Sequence, residues 1–457
     1  MKRSWWAWGG FAAIVGVVAA IFIGRAAFGA SGFLIEKGDT PIVFFGDSIT
    51  QDADYVRMID SFLLTRYPDR EINVVNLGVN GDTAGLRRRG GYRRTNDRDI
   101  KTIRPKVAFL CFGMNDARGE AEFAEYPEAI NRLAGALEGV GSKVVILSPT
   151  AEQGDERGWL AGSSYNTRLA RLMWECKKIA EQRKATFVDL HTMFVLAIEM
   201  ARINGIIPEN GDSTLIPDKV HPASDAHLLV ACTILKALHP EGFVSEATID
   251  AATRRVTSGR GCTVDISGTS APGELEFSRL DRCLPWPLPD NALTLSLQIP
   301  GFHSAIDELS GCWLKIVNLL PERQYTLTID GIPAGTYTAE HFSRGVNLTL
   351  VEGPIREQTR KIYALVTAKS DLWRTRYRDV QLYNLPVWAR PKTDDAPGYG
   401  AVSDWLETRR LEEMTRIDAE LASKRQELSE LKKPVMHRFS VRPSVAQNKT
   451  VRVPVGP

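Results

Sequence analysis

Histidine and cysteine are scarce in this chain, 7 and 6 among 457 residues, and none of them falls at the spacing of a metal site. No metal or other cofactor is therefore expected. The 57 lysines and arginines nearly balance the 55 aspartates and glutamates, for a net charge of +2. That balance points to no particular partner, and none of the nucleic-acid kind is expected. Cysteine is too sparse for a disulfide framework. Cys111, Cys176 and Cys232 lie in apolar strand or helix contexts, and Cys262, Cys283 and Cys312 are an odd number whose pairing cannot be read. Long apolar runs are absent after the first thirty residues. Also absent is a Gly-x-Ser-x-Gly elbow around the serine that matters most below, which argues against an ordinary α/β-hydrolase.

What is present begins with Gly46-Asp47-Ser48-Ile49-Thr50, which closes the apolar run Pro41 to Phe45. A β-branched and aromatic run broken by glycine reads as a buried strand entering a turn, with Ser48 presented above the sheet edge. Taken alone, Asp and Ser here suit a helix N-cap equally well. Three later segments change the weighting. Val74 to Gly78 is a second apolar strand, opening into Val79-Asn80-Gly81-Asp82-Thr83, where Gly81 lets a backbone N–H approach a substrate closely. Val107 to Phe112 is a third strand, closed by Gly113-Met114-Asn115-Asp116, and the Asn115 side chain brings two N–H donors on a short stem. In Asp218-Lys219-Val220-His221-Pro222 a carboxylate precedes an imidazole by three residues in a Pro-flanked loop.

These are the parts of an acyl-transfer site. Ser48 would attack, His221 would take its proton, and Asp218 would fix the imidazole tautomer. The N–H groups of Ser48 and Gly81 and the Asn115 amide would hold the developing oxyanion.

With these four blocks the chain resembles the SGNH hydrolase superfamily, the GDSL-type lipases and esterases, over about residues 40 to 240. Carried over by position, the resemblance implies the same assignment: Ser48 nucleophile, Gly81 and Asn115 oxyanion donors, His221 base and Asp218 its partner. Isoleucine stands at position 49 in place of the leucine of the name-giving motif. The family acts on lipids, thioesters and acetylated sugars, so an ester substrate is implied, either an acetylated carbohydrate or a lipid.

The segments between the blocks alternate strand and helix. Helices are expected at Tyr55 to Tyr67, Tyr126 to Gly139, Ser163 to Lys184 and Ala223 to Leu238, with strands at Lys143 to Leu147 and Thr186 to Leu190. This is the pattern of a three-layer α/β/α, flavodoxin-like domain on a parallel sheet, whose ligands sit beyond the carboxyl ends of the strands. Two other histidines compete with His221. His227 reads as solvent-facing or a cap, and His191 as a strand-end residue satisfied locally. The arginines at 87 to 89, 93, 94 and 98 read as a solvated face rather than a site for an anionic substrate or headgroup.

The chain divides into an N-terminal segment (1–30), a hydrolase domain (31–245), a β-rich accessory domain (246–392), a linker (393–402), a charged helix (403–433) and an extended, mobile tail (434–457). Met1-Lys2-Arg3 precedes the uncharged stretch Trp5 to Ile23, which at ~1.5 Å per residue nearly spans a ~30 Å hydrocarbon core. It reads as a retained membrane anchor or, through Ala27-Phe28-Gly29, as a cleaved signal peptide, with the catalytic domain outside the cytoplasm in either case. In the accessory domain Leu293 to Ile299, Tyr325 to Ile329 and Val346 to Leu350 alternate as half-buried strands, with a hairpin turn at Asp330-Gly331. A helix at 354–373 is expected to pack on these strands through Ile355, Ile362, Leu365 and Leu372. Ser403 to Lys433 has near-heptad apolar positions interrupted by Lys424, so it either self-associates as a short coiled coil or docks on the body. Sequons at Asn347 and Asn448 matter only in a glycosylating host.

Overall fold

The computed structural model describes residues 34–153, 164–206, 215–266, 273–382 and 399–444. The N-terminal segment read as an anchor or signal peptide, and the sequon at Asn448, lie outside the described residues. Among the described residues no helix is long and apolar enough to cross a membrane.

Five short apolar runs form one parallel sheet: β1 (Ile42–Gly46), β2 (Val74–Gly78), β3 (Val107–Cys111), β4 (Lys143–Leu147) and β5 (Thr186–Val188). Their spatial order is β2-β1-β3-β4-β5. Every residue of β1 and β3 is buried, as the middle of a sheet covered on both faces requires. The crossovers are helical: α1 (Ser48–Asp52), α2 (Asp54–Arg66), α3 (Glu120–Gly139), α4 (Ser164–Arg183), α5 (Leu190–Ile203) and α6 (Ser224–Leu238). The chain leaves β1 toward β2 on one side and returns to β3 on the other, so the carboxyl ends of β1 and β3 flank the topological switch point where such sheets hold ligands. The α/β architecture with a parallel sheet is the one expected.

After α6 the chain builds two further sheets. One has the order β13-β10-β6-β7, from β6 (Phe243–Asp250), β7 (Arg255–Arg260), β10 (Gly311–Val317) and β13 (Val346–Asn347). The other has the order β12-β11-β14-β9-β8, from β8 (Cys262–Asp265), β9 (Leu275–Asp281), β11 (Gln324–Ile329), β12 (Ile332–Thr338) and β14 (His437–Pro443). Their inward residues, among them Ala247, Leu314, Phe277, Leu327 and Val441, share one apolar core. The β11–β12 hairpin turns at Asp330-Gly331 with both φ angles positive, 51° and 79°, as a tight primed turn needs. All six cysteines are free thiols.

Several elements differ from the sequence reading. Leu293 to Ile299 forms 3₁₀ turns rather than a strand, because Asp225 Oδ1, projecting from α6, accepts the N–H groups of Leu295 and Ser296 at 2.8 Å each. Leu348 to Leu350 is likewise a 3₁₀ turn, so only Val346–Asn347 pairs as a strand. Nor is the stretch after 434 a free tail: β14 sits between β11 and β9, with Phe439 and Val441 inward and the His437 ring bonded to Asp330 Oδ2 at 2.7 Å. Beyond α7 (Phe302–Leu309), the helix α8 (Pro354–Arg374) reaches the sandwich core through Ile355 alone. Its Ile362, Leu365 and Val366 pack instead with Leu64 of α2 and Leu428 of α9 (Tyr399–Leu431). Trp373 then bonds Asn76 O at 2.8 Å along the open edge of β2. Ile417, Leu421 and Leu428 of α9 are buried on the body, so the interrupted seam docks. The Asn347 amide donates to Asp307 Oδ1 and Ser310 O, contacts that a glycan there would break.

Candidate active site

At the end of β1 only glycine fits: a Cβ on Gly46 would stand 2.0 Å from Thr50 Oγ1 and 2.7 Å from Cys111 O. The chain therefore turns straight from the sheet into α1. Asp47 caps that helix, Oδ1 accepting the Ile49 N–H at 3.1 Å, so the capping reading of Gly-Asp-Ser holds and leaves the neighbouring Ser48 available for the catalytic one. Ser48, next along, opens the helix. Its backbone N–H, at the first helical position, has no intrahelical acceptor.

The loop 215–223 closes over this point. Ala223 N donates to Leu215 O and Gln153 N to Lys219 O, which fixes the turn before α6. Lys219 holds a left-handed φ of 70°, and Asp218 Oδ1 accepts the N–H groups of Val220 and His221 at 3.0 and 2.7 Å. Asp218 Oδ2 is thereby left facing His221 Nδ1 at 2.6 Å, and His221 Nε2 meets Ser48 Oγ at 2.9 Å. Partial burial would raise the Asp218 carboxyl, but the hydrogen bonds from the His221 ring and the two N–H groups outweigh it and hold it down at about 2. An ionised Asp218 can only accept, so Nδ1 carries the imidazole proton and Nε2 is free to receive that of Ser48.

Gly81 sits at φ 71°, just after a backbone that Gln51 of α1 pins by accepting Asn80 N–H at 2.7 Å. Asn115 donates one amide N–H to Asp82 O at 2.9 Å, leaving its second for a ligand. Ser48, Gly81 and Asn115 thus follow the carboxyl ends of β1, β2 and β3, and the loop between α5 and α6 brings Asp218 and His221, the other two residues picked from the sequence, to Ser48. The two other histidines do not join them. His227 is buried and stacks on Tyr55 with ring centroids 5.9 Å apart, and burial pushes its pKa down to about 4, so it is neither solvent-facing nor a cap. His191 is buried against Thr150 O.

Sequence reasoning missed what stands behind the loops. Arg89, read as part of a solvated face, is fully buried. Its Nε donates to Asp82 Oδ2 at 2.6 Å, Nη1 to Leu77 O at 2.6 Å and Nη2 to Gly46 O at 2.9 Å, gathering the ends of β1 and β2 and the Gly81 turn onto one guanidinium. Tyr377, in the π-helical segment Thr375–Gln381 that continues α8, backs this group and donates to Asp99 Oδ2 at 2.8 Å. Arg87 does lie in solvent, paired with Glu122 and Glu125. Two more carboxyls are buried nearby. Burial raises Asp47 to about 7 and Asp116 to about 8, and Asp116 Oδ1 accepts Ala84 N–H at 2.9 Å while Oδ2 is unpaired. Among the described residues no cluster of His, Cys, Asp or Glu could hold a metal ion.

Residues 44–228, which span every one of these loops, match the model of the GDSL-like Lipase/Acylhydrolase family. Over those residues the chain is similar to the GDSL-type hydrolases. It is 22% identical over 222 residues to an acetylxylan esterase of Geobacillus stearothermophilus, a match covering 43% of this chain and 93% of that protein. A solved structure of an acetylxylan esterase from the same organism shares 21% identity and a TM-score of 0.38, covering 45% of this chain and 97% of its own. A gut microbial diltiazem-metabolizing enzyme of known structure superposes with a TM-score of 0.73 at 23% identity, over 90% of this chain and 100% of that one. That last likeness is one of fold, and it extends over both the α/β domain and the β-rich part.

Proposed function

We propose that this protein is an exported serine esterase that cleaves carboxylic esters through an acyl-Ser48 intermediate, with carbohydrate O-acetyl or other short-chain esters as substrates. The observation that carries the reading is the relay Ser48–His221–Asp218, with contacts of 2.9 and 2.6 Å between the atoms that acyl transfer requires. Ser48 Oγ attacks the carbonyl carbon as its proton passes to His221 Nε2, and the imidazolium so formed is stabilised by Asp218. The carbonyl oxygen, now negative, accepts from the N–H groups of Ser48 and Gly81 and from the free amide N–H of Asn115. His221 then protonates the departing alcohol, and water, activated by the same imidazole, releases the acid.

The acetyl preference is favoured by the match to a protein named as an acetylxylan esterase, and export by the uncharged Trp5–Ile23 stretch behind Lys2 and Arg3. Retention of that stretch would hold the enzyme at the membrane, and its removal would release it.

A fluorophosphonate label applied to the chain lacking residues 1–30 tests the chemistry. Wild type should label, Ser48→Ala should not, and His221→Ala should label far more slowly. Wild-type protein that folds and takes no label overturns the reading in favour of a binding role. A panel of esters of rising acyl length tests the substrate class, and a preference for long chains would favour lipid acyl hydrolysis.

A further inference from the structure

The three donors that would receive the oxyanion come from three separate loops: Ser48 N–H follows β1, Gly81 N–H follows β2 and the Asn115 amide follows β3. The sheet does not set their spacing. Its ladder between β1 and β2 ends at Gly46 and Gly78, before Gly81 is reached. Backbone bonds carry the turn a little farther, from Val79 N–H to Gly46 O and from Asp82 N–H to Val79 O, each at 3.1 Å.

What spans the loops is Arg89. A guanidinium is planar and rigid, so its fork reaches acceptors on separate segments that a single ammonium could not hold together. Nη2 donates to Gly46 O, shortly before Ser48, Nε donates to the carboxylate of Asp82, next after Gly81, and Nη1 donates to Leu77 O in β2. Asp82 passes the constraint to the third donor. Its backbone O accepts the Asn115 amide at 2.9 Å, while its Oδ1 accepts Arg88 N–H at 2.9 Å. The guanidinium carbon also lies 5.9 Å from the ring centroid of Phe112, just past the end of β3. Each loop that carries a donor is thus tied to one group. The Arg89 side chain is wholly buried, so it acts through these loops and not on a substrate.

We propose that Arg89 is a positioning residue of the esterase reaction: its guanidinium sets the spacing of the Ser48, Gly81 and Asn115 donors, and so lowers the barrier to the tetrahedral intermediate without contacting the ester. This rests on the reading of Ser48 as the nucleophile of an esterase. A misplacement of about 1 Å can cost about 10² in rate, so the alignment is worth about as much as a donor.

The test uses the full chain with p-nitrophenyl acetate and counts competent sites by exhaustive fluorophosphonate labelling. Phenylboronic acid is added as inhibitor, since its tetrahedral adduct on Ser48 places an oxygen in the oxyanion position. Arg89→Met/Asp82→Asn removes both charges of the pair and leaves neither stranded. Its kcat per competent site should fall about 10²-fold with KM nearly unchanged, and its Ki for the boronate should rise with that loss. Arg89→Lys keeps the charge without the fork and should lose about as much. Neither variant changes net charge, so the pH at which kcat/KM rises with deprotonation of His221 should stay that of wild type. Lys369→Met is the control: it breaks another buried ion pair, with Asp60 at 2.6 Å, that ties α8 to α2 rather than the loops. It should lower Tm and leave kcat per site unchanged. Wild-type kcat in a folded Arg89 variant, an equal kcat loss in Lys369→Met, or a loss that falls on KM or on the His221 limb and spares the boronate, each overturns the positioning role while the esterase stands. If neither Arg89 variant folds, the residue serves folding alone and the proposal falls. Wild type that neither hydrolyses the ester nor takes the label defeats the esterase reading and the positioning role with it.

Discussion

Arg89 and Asp82 form an ion pair of 2.6 Å in which neither side chain is exposed to solvent. The pair lies under the candidate catalytic loops: Asp82 follows Gly81, and the remaining Arg89 nitrogens hold the Gly46 carbonyl at the end of β1 and the Leu77 carbonyl near the end of β2. Burial alone would lower the Arg89 pKa, but Tyr377, Asp82 and Asp99 around it prevail and keep it charged. A buried charge of this kind is held by its partners and becomes a liability when one is removed.

Arg89→Met should therefore cost about 3–5 kcal/mol of stability, since it strands Asp82 without a counter-charge. Chemical denaturation measures it. Arg89→Met combined with Asp82→Asn should recover a large part of the loss. A double variant no more stable than the single one would mean that the pair contributes geometry rather than charge compensation.

In the proposed mechanism Asn115 and Asp218 act on different parts of the reaction, and their variants should differ accordingly. Asn115→Ala removes a side-chain donor to the oxyanion and the bond to Asp82 O, so kcat should drop about 10²–10³-fold with little change in KM. Asp218→Asn replaces the acceptor for His221 Nδ1–H by an amide and permits the wrong tautomer, for which a loss of about 10⁴ in kcat is the precedent in serine proteases. Steady-state kinetics on an activated acetate ester separates the two. An Asp218 variant retaining near-normal turnover would show that backbone contacts alone orient the imidazole.

The site was legible in the sequence because each of its residues follows a local break. Ser48, Gly81 and Asn115 each stand where an apolar run meets glycine, and Asp218 and His221 lie in one Pro-flanked turn, so composition and spacing suffice. Arg89 carries no such mark. Its environment comes from Gly46, Leu77 and Tyr377, the last of them 288 residues away, and an arginine in an arginine-rich run is ordinarily solvated. The same difference separates the elements of the β-rich part. Tyr325 to Ile329 is a strand by its own period and its own turn. Leu293 to Ile299 has the same period, yet Asp225, on α6, takes its N–H groups and winds it into turns. β14 was hidden because only Phe439 and Val441 are inward apolar positions and its partner strands lie far off in sequence.

Tyr377 links the C-terminal half to the catalytic half, and Tyr377→Phe tests what the link does. The variant keeps the ring, which is buried, and deletes the hydroxyl that donates to Asp99 Oδ2. Asp99 is buried and retains Arg98 at 2.6 Å, so the loss should be that of one hydrogen bond to a charged acceptor, about 1.5–3 kcal/mol. If Tyr377 also steadies Arg89 beneath the Gly81 turn, kcat falls alongside stability. A stability loss with unchanged kcat would confine the residue to the junction between the halves.

The buried carboxyls of Asp47 and Asp116 make stability depend on pH in a direction opposite to the usual one for acidic groups. Desolvation raises them from an ordinary 3.8 to about 7 and about 8. At pH below 3.8 both groups are protonated in the folded and the unfolded chain alike, and they oppose folding least. As pH rises the unfolded chain ionises them first, which favours unfolding, and the loss grows until the folded carboxyls themselves ionise near 7 and 8. Asp218 works the other way: held at about 2, it contributes stability above the ordinary carboxyl range and loses it only as pH falls toward 2. Between about pH 4 and 8 the two buried carboxyls should thus give Tm a downward slope with rising pH. Asp47→Asn/Asp116→Asn should flatten that slope, because each amide oxygen can still accept the N–H of Ile49 or Ala84 while nothing is left to titrate. Thermal melts at unit steps from pH 5 to 8 decide it. An unchanged slope in the double variant would mean that both carboxyls are ionised in the folded protein and that Arg89 compensates all three acidic groups rather than Asp82 alone.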